Sequence, residues 1–118
     1  VRLVNAGHMP PVHVSRSGFH QLPLGHLALG LMPAVTYAEQ SVDLADGDLL
    51  VIYSDGLTDA LDDAGDFFGE DRLQALFAQL SGRSAREAGA HLLDAVDRFI
   101  GECRPYDDLS LVIVKRVQ

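Results

Sequence analysis

Residues 51–60 read VIYSDGLTDA, an apolar run that stops at a serine, an aspartate and a glycine. The run begins upstream as DLLVIYS, whose β-branched and aromatic residues suit a pleated, buried surface, so a strand is expected there. Asp55 then falls at the C-terminal end of that strand, where a rigid backbone can hold a ligating carboxylate. Gly56 follows; without a Cβ it permits a sharp exit and close approach to the backbone.

Towards the N-terminus, RLVN, VHVS and YAEQSVDL are short β-favouring runs punctuated by HMPP, RSG and ADGD, so residues 1–54 read as antiparallel sheet. SRSG at 15–18 suits a hairpin turn. Asp46 and Gly47 suit turn positions that tolerate positive φ, which would pair YAEQSVDL with DLLVIYS. Towards the C-terminus the period changes. From Gly69 onward, Leu73, Leu76, Phe77 and Leu80 fall at helical spacing, and Ser81 and Gly82 end the helix. Ser84 and Glu87 form a capping-box pattern before a second helix of about 18 residues with Leu92, Leu93, Val96, Phe99 and Ile100 on its apolar face. Arg104 and Pro105 close it. LSLVIVK at 109–115 is nearly continuous apolar and reads as a strand buried on both sides. No repeat, low-complexity segment or linker interrupts residues 1–118, so a single domain is expected.

Asp107 and Asp108 stand just before that last strand. If it neighbours the strand ending at Asp55 and runs antiparallel to it, the acidic residues share one sheet edge. Clustered carboxylates repel unless a cation sits among them, and hard oxygen donors suit magnesium or manganese. The plainer reading is an Asp-Gly turn and a solvated acidic pair. Asn5, Gly7 and His8 likewise either line a site or form a strand-ending Asn-Ala-Gly turn. No HExxH or other paired spacing is present, which disfavours zinc, and His13, His20 and His91 read as surface residues. The run DDAGD at 62–66 puts Ala64 and Gly65 where a calcium loop needs oxygen ligands and is expected to be solvated. Ser54 has no GxSxG elbow around it, and Cys103 reads as a packing residue.

Composition excludes other classes. Seventeen acidic against nine basic side chains give a charge of −8, which repels phosphate backbones and disfavours nucleic acid. One cysteine allows no intrachain disulfide and fits a reducing compartment, so the cytoplasm is expected. No long apolar run or signal-peptide pattern occurs, and no membrane association is expected.

Taken together and in order, NAGHMPPVHV, PLGHLALGLMP, DGDLLVIYSDGLTDALDDAGDFFGEDRL and YDDLSLVIVKR resemble the bacterial metal-dependent serine/threonine phosphatases (PPM, protein phosphatase 2C-like) of the stage II sporulation E type. The resemblance covers essentially the whole chain. It implies an α+β fold, an antiparallel β-sandwich flanked by helices, with acidic residues at one edge binding two manganese or magnesium ions. On it, Asp55 resembles a metal ligand and Gly56 the glycine whose carbonyl lies near the ions. Asp107 matches the remaining ligand better than Asp108, which stands where relatives often have Asn. Asn5, Gly7 and His8 resemble the segment beside the site, with Met9 in place of a usual proline. Residues 57–69 correspond to a variable region near the site mouth, suited to substrate contact or gating.

The family's earlier Asp and Gly-His-Gly turn have no counterpart in these residues. The chain is therefore expected to be the C-terminal part of a catalytic domain, with N-terminal strands and helices missing, and inactive alone. Exposed strand edges would then invite a homodimer. The resemblance further implies a phosphorylated protein substrate of the anti-anti-sigma type and an upstream sensory or response-regulator domain. Two other readings remain beside it: a non-catalytic docking module for a sigma-factor regulatory partner, and a structural calcium-binding domain.

Overall fold

A computed structural model describes residues 1–26, 28–101 and 109–117. Its elements are β1 (Arg2–Val4), β2 (Val12–Ser15), β3 (Gly18–Gln21), β4 (Glu39–Ser41), β5 (Leu49–Tyr53), α1 (Gly69–Phe77), α2 (Ala85–Ile100) and β6 (Leu111–Lys115).

The main sheet has the order β3-β2-β5-β6, with every neighbouring pair antiparallel. β2 and β3 form the expected hairpin, Ser15 pairing with Gly18 across Arg16 and Ser17. β5 is central and buried on both faces. Successive strand residues point to opposite sides. Leu49, Val51 and Tyr53 face a core that includes Leu73 and Phe77 of α1, Leu80 beyond it, and Ala88, Leu92, Val96 and Ile100 of α2. Leu50 points the other way, into a smaller cluster with Leu22, Val42 and Leu44 against Leu3 of β1. The sheet is thus enclosed by helices on one side and by the β1–β4 layer on the other, an α+β sandwich flanked by helices.

Two strand expectations need correction. β4 pairs with β1, through Arg2 with Ser41 and Val4 with Glu39, and not with β5. The cause is burial: Val42 and Leu44 after β4 cross the outer face of the sheet to cover Leu50, so the chain cannot fold straight back as a hairpin. Gly47 still takes positive φ (89°) in the connecting turn. β6 is not buried on both sides either. Leu111 and Ile113 pack on the helical core, whereas Val112 and Val114, on the opposite face of this edge strand and outside the cluster under β1, are 54% and 43% exposed.

The helices follow their periodicity closely. α1 stops at Phe77, with Leu80 buried in the turn that follows and Gly82 at φ 82°. α2 has 16 residues and opens with the expected capping box, Glu87 N–H donating to Ser84 Oγ and Ser84 N–H to Glu87 Oε1. Such a cap contributes about 1 kcal/mol. Gly101, at φ 74°, ends the helix; Cys103, Arg104 and Pro105 lie outside the described residues.

Candidate functional site

The main-sheet register sets where Asp55 goes. Tyr53 pairs with Leu111, and one more rung follows: Ser54 N–H donates to the Ser110 carbonyl (3.0 Å), and Ser110 N–H donates to Ser54 Oγ (2.9 Å). β5 therefore leaves the sheet at the edge where β6 begins, the arrangement on which a shared acidic site depended. Asp107 and Asp108 lie outside the described residues.

After Ser54 the chain folds into a compact turn. Asp59 N–H (2.8 Å) and Thr58 Oγ1 (3.2 Å) both donate to the Asp55 carbonyl, and Leu57 N–H donates to Ser54 O (3.2 Å). Leu57 and Thr58 are buried, so the turn is anchored in the core. The Asp55 side chain is exposed, and no described residue donates to its carboxylate. Backbone rigidity and an exposed carboxylate without a donor among the described residues suit a ligand position.

The following loop returns on itself. Phe68 N–H donates to Ala60 O (2.7 Å) and Gly69 N–H to Thr58 O (3.0 Å), closing its base. At its tip Asp62 Oδ1 accepts from Ala64 and Asp66 N–H groups, and Asp63 to Phe67 are exposed. The DDAGD run is therefore a solvated turn whose first carboxylate serves the turn itself.

Asn5, Gly7 and His8 form the strand-ending turn. Asn5 is 4% exposed; its Oδ1 accepts from His8 N–H (2.7 Å), its Nδ2 donates to His8 O (3.0 Å), and its carbonyl accepts from His26 N–H (2.9 Å). Gly7 has φ 84° and lies against Ala28. His8 is exposed, its Nδ1 3.0 Å from the Met9 carbonyl. A cavity of about 140 Å³ joins Asn5, His8 and Met9 to Ile52 of β5. Asp55 is three residues beyond Ile52, hence within about 11 Å of it along the chain, but is not part of that lining.

Other residues took roles the sequence did not signal. Gly25 packs face-on against Asn5, where a Cβ would sit 2.3 Å from the Asn5 carbonyl oxygen. His13 is not a surface residue: its side chain is 13% exposed and its Nε2 donates to Asp48 Oδ2 at 2.8 Å. Ala45 N–H donates to the same oxygen (3.0 Å), and the His13 hydrogen bond is the chief reason the Asp48 carboxyl is held below its ordinary value. Burial, with the charge of Glu70, pushes the Tyr53 phenol above its ordinary value.

A resident metal would need several convergent oxygen ligands. Among the described residues no three carboxylates, imidazoles or thiols come together, so Asp55 with its neighbouring carbonyls is at most part of a ligand set. Its hard oxygen donors match magnesium or manganese in kind, not in number.

The sequence profile of the family described as Stage II sporulation protein E (SpoIIE) matches residues 1–117. Protein IcfG of Synechocystis sp. is 32% identical over 96% of this chain, which spans 18% of that protein. The phosphoserine phosphatase RsbU of Bacillus subtilis is 28% identical over 95% of the chain, which spans 33% of it. The solved PP2C phosphatase domain, with a fragment of the regulatory domain, of SpoIIE from Bacillus subtilis superposes with a TM-score of 0.77 at 19% identity, covering 98% of this chain and 34% of that one. The chain thus spans a third or less of the curated relatives it matches.

Proposed function

The chain belongs to the stage II sporulation protein E family, and we propose that a full-length protein containing it removes phosphate from phosphoserine or phosphothreonine on a regulatory protein of the anti-anti-sigma type. The observation that carries this is Asp55: an exposed carboxylate to which no described group donates, on a hydrogen-bonded turn at the sheet edge where β5 ends and β6 begins. The similarity to a phosphoserine phosphatase, RsbU, supports the reaction class.

In this reading Asp55, the Gly56 carbonyl, Asp107 and Asp108 belong to the ligand set for two manganese or magnesium ions, completed by residues elsewhere in the catalytic domain of which residues 1–118 form one part. When bound, such ions acidify a water and neutralise charge on the phosphoryl oxygens. The chain's own contribution is positional. The Ser54–Ser110 rung fixes the direction in which β5 delivers Asp55, and the two donors on the Asp55 carbonyl stop the turn from unwinding. Asn5 rigidifies the turn that presents His8 and Gly7 beside the cavity next to β5. In this reading residues 1–118 alone hydrolyse no phosphoester, because the ligand set is completed elsewhere in the catalytic domain. A cytoplasmic location and an upstream sensory or response-regulator domain belong to the same proposal; among the described residues no helix is long and apolar enough to cross a membrane.

The test is manganese-dependent phosphate release from a phosphoserine peptide by the full-length protein, wild type beside Asp55→Asn. The expected loss in kcat is at least about 100-fold, with unfolding free energy changed by less than about 0.5 kcal/mol because the carboxylate is exposed and unused by the fold. An unchanged rate at saturating manganese removes Asp55 from the ligand set. No turnover by the wild type shifts the reading to a docking module.

A further inference from the structure

One side chain pins the loop at residues 57–69, which is expected to serve substrate contact or gating. Arg72 Nη1 donates to the carbonyls of both Phe67 and Phe68, each at 2.9 Å. Its guanidinium carbon lies 4.5 Å from the centroid of the Phe99 ring of α2, and Phe99 in turn meets Phe68 edge-on, with centroids 5.3 Å apart. The helix itself gives no reason for a cation here. A positive charge near a helix N-terminus opposes the macrodipole, and Glu70 and Asp71 already supply the favourable sign. Nor would lysine serve, because it cannot stack its planar face on a ring while presenting a fixed fork of donors.

From Arg72 an unbroken chain of contacts leads to Asp55. The two captured carbonyls belong to the strand-like return of the loop. From that return, Phe68 N–H donates to Ala60 O (2.7 Å) and Gly69 N–H to Thr58 O (3.0 Å). Thr58 Oγ1 and Asp59 N–H then donate to the carbonyl of Asp55. Phe68, Ala60, Thr58 and Leu57 are all buried along this route, whereas the tip from Asp63 to Phe67 is exposed.

We propose that Arg72 is a positioning residue for the candidate site: it latches the base of the loop onto α1 and α2 and thereby holds the turn that presents Asp55. The inference rests on the phosphatase reading for its effect on metal, but the latch itself does not. Releasing Arg72 frees the return segment, lets the Thr58–Gly69 and Ala60–Phe68 pairs open, and allows the Asp55 carbonyl to lose its donors. The side chain touches no reacting group, so its loss weakens metal binding and leaves chemistry at saturating metal largely intact.

The test compares full-length wild type with Arg72→Gln, Phe99→Leu and Phe99→Tyr. Manganese binding is followed by electron paramagnetic resonance, phosphate release by titration with manganese, and loop opening by hydrogen exchange. Arg72→Gln is expected to raise the half-saturating manganese concentration roughly tenfold, as befits loss of charge-assisted hydrogen bonds, with kcat at saturation within about twofold. Phe99→Leu shifts it in the same direction by less, and Phe99→Tyr, which keeps the stack, behaves as wild type. In Arg72→Gln the amides of Asp59, Phe68 and Gly69 exchange faster, while those of β5 keep their protection. A merely structural arginine would lower the melting temperature and leave the metal titration in place, which would overturn the proposal. If the wild type neither binds manganese nor releases phosphate, the phosphatase reading falls, and the exchange of those three amides decides the latch: unchanged protection in both Arg72→Gln and Phe99→Leu refutes it.

Discussion

Removing the Asp48 carboxylate should be the most costly single change at the surface-facing end of the main sheet. Asp48 Oδ2 accepts two hydrogen bonds, from His13 Nε2 at 2.8 Å and from Ala45 N–H at 3.0 Å, and the His13 and Asp48 side chains are nearly buried, at 13% and 9% exposure. Hydrogen bonds to a charged acceptor contribute about 1.5–3 kcal/mol each, and a buried donor left alone costs its desolvation. Asp48→Ala strands both donors, for an expected loss of about 3–4 kcal/mol, whereas Asp48→Asn keeps one carbonyl acceptor and loses about 1–2 kcal/mol. A double-mutant cycle with His13→Ala, measured by urea unfolding at pH 7, isolates the pair and should return a coupling of about 1.5–3 kcal/mol. The pH dependence has a definite sign. The folded carboxyl is held below its ordinary value, first by the His13 hydrogen bond. Its contribution is therefore complete above the unfolded value, about 3.9, and is lost as pH falls through the folded value. The gap between wild type and Asp48→Asn should stay constant from neutral pH down to about pH 5 and close below about pH 4. A coupling under about 0.5 kcal/mol, or a gap that does not narrow in acid, would refute this account of the pair.

Two further expectations concern glycines and the open sheet face. Gly25→Ala would press a Cβ to within 2.5 Å of three Asn5 atoms, so thermal unfolding should show a loss of about 2–3 kcal/mol. Gly89→Ala, in the interior of α2 with its nearest contact an Ile113 methyl at 3.7 Å, should instead gain about 0.5–1 kcal/mol; equal effects at the two positions would contradict the packing described. The exposed Val112 and Val114 on edge strand β6 offer a self-pairing surface, and light scattering of residues 1–118 is expected to show concentration-dependent association that Val112→Lys with Val114→Lys abolishes. A clean monomer at high concentration would show that this face does not pair.

What the sequence disclosed and what it hid separate along the range of the interactions involved. The β2–β3 hairpin, both helices and the capping box at Ser84 and Glu87 depend on residues a few positions apart, and their signals survived intact. So did the placement of Asp55, because an apolar run that ends in Asp-Gly marks a strand end whatever lies beside it. The partner of β4 depends on which face needs Val42 and Leu44, and the exposure of β6 on how far the β1–β4 layer extends; neither has a local signature. Asn5 and Gly25 meet across twenty positions of a charge-poor segment, where no periodicity points to the contact. The site shows the same division within one residue type. Asp48 and Asp62 follow or open turns much as Asp55 does, and in sequence the three look alike. In the fold Asp48 ties β5 to β2 and Asp62 closes its own loop, so their carboxylates are already engaged. Asp55 differs because its backbone carbonyl takes the stabilising hydrogen bonds and none of the described groups donates to its side chain. A fold that fastens a residue by its main chain, with no described group donating to its exposed carboxylate, leaves that charge solvated and open to an added ligand. In the proposed reading that ligand is a cation, whose chemistry suits a hard carboxylate oxygen.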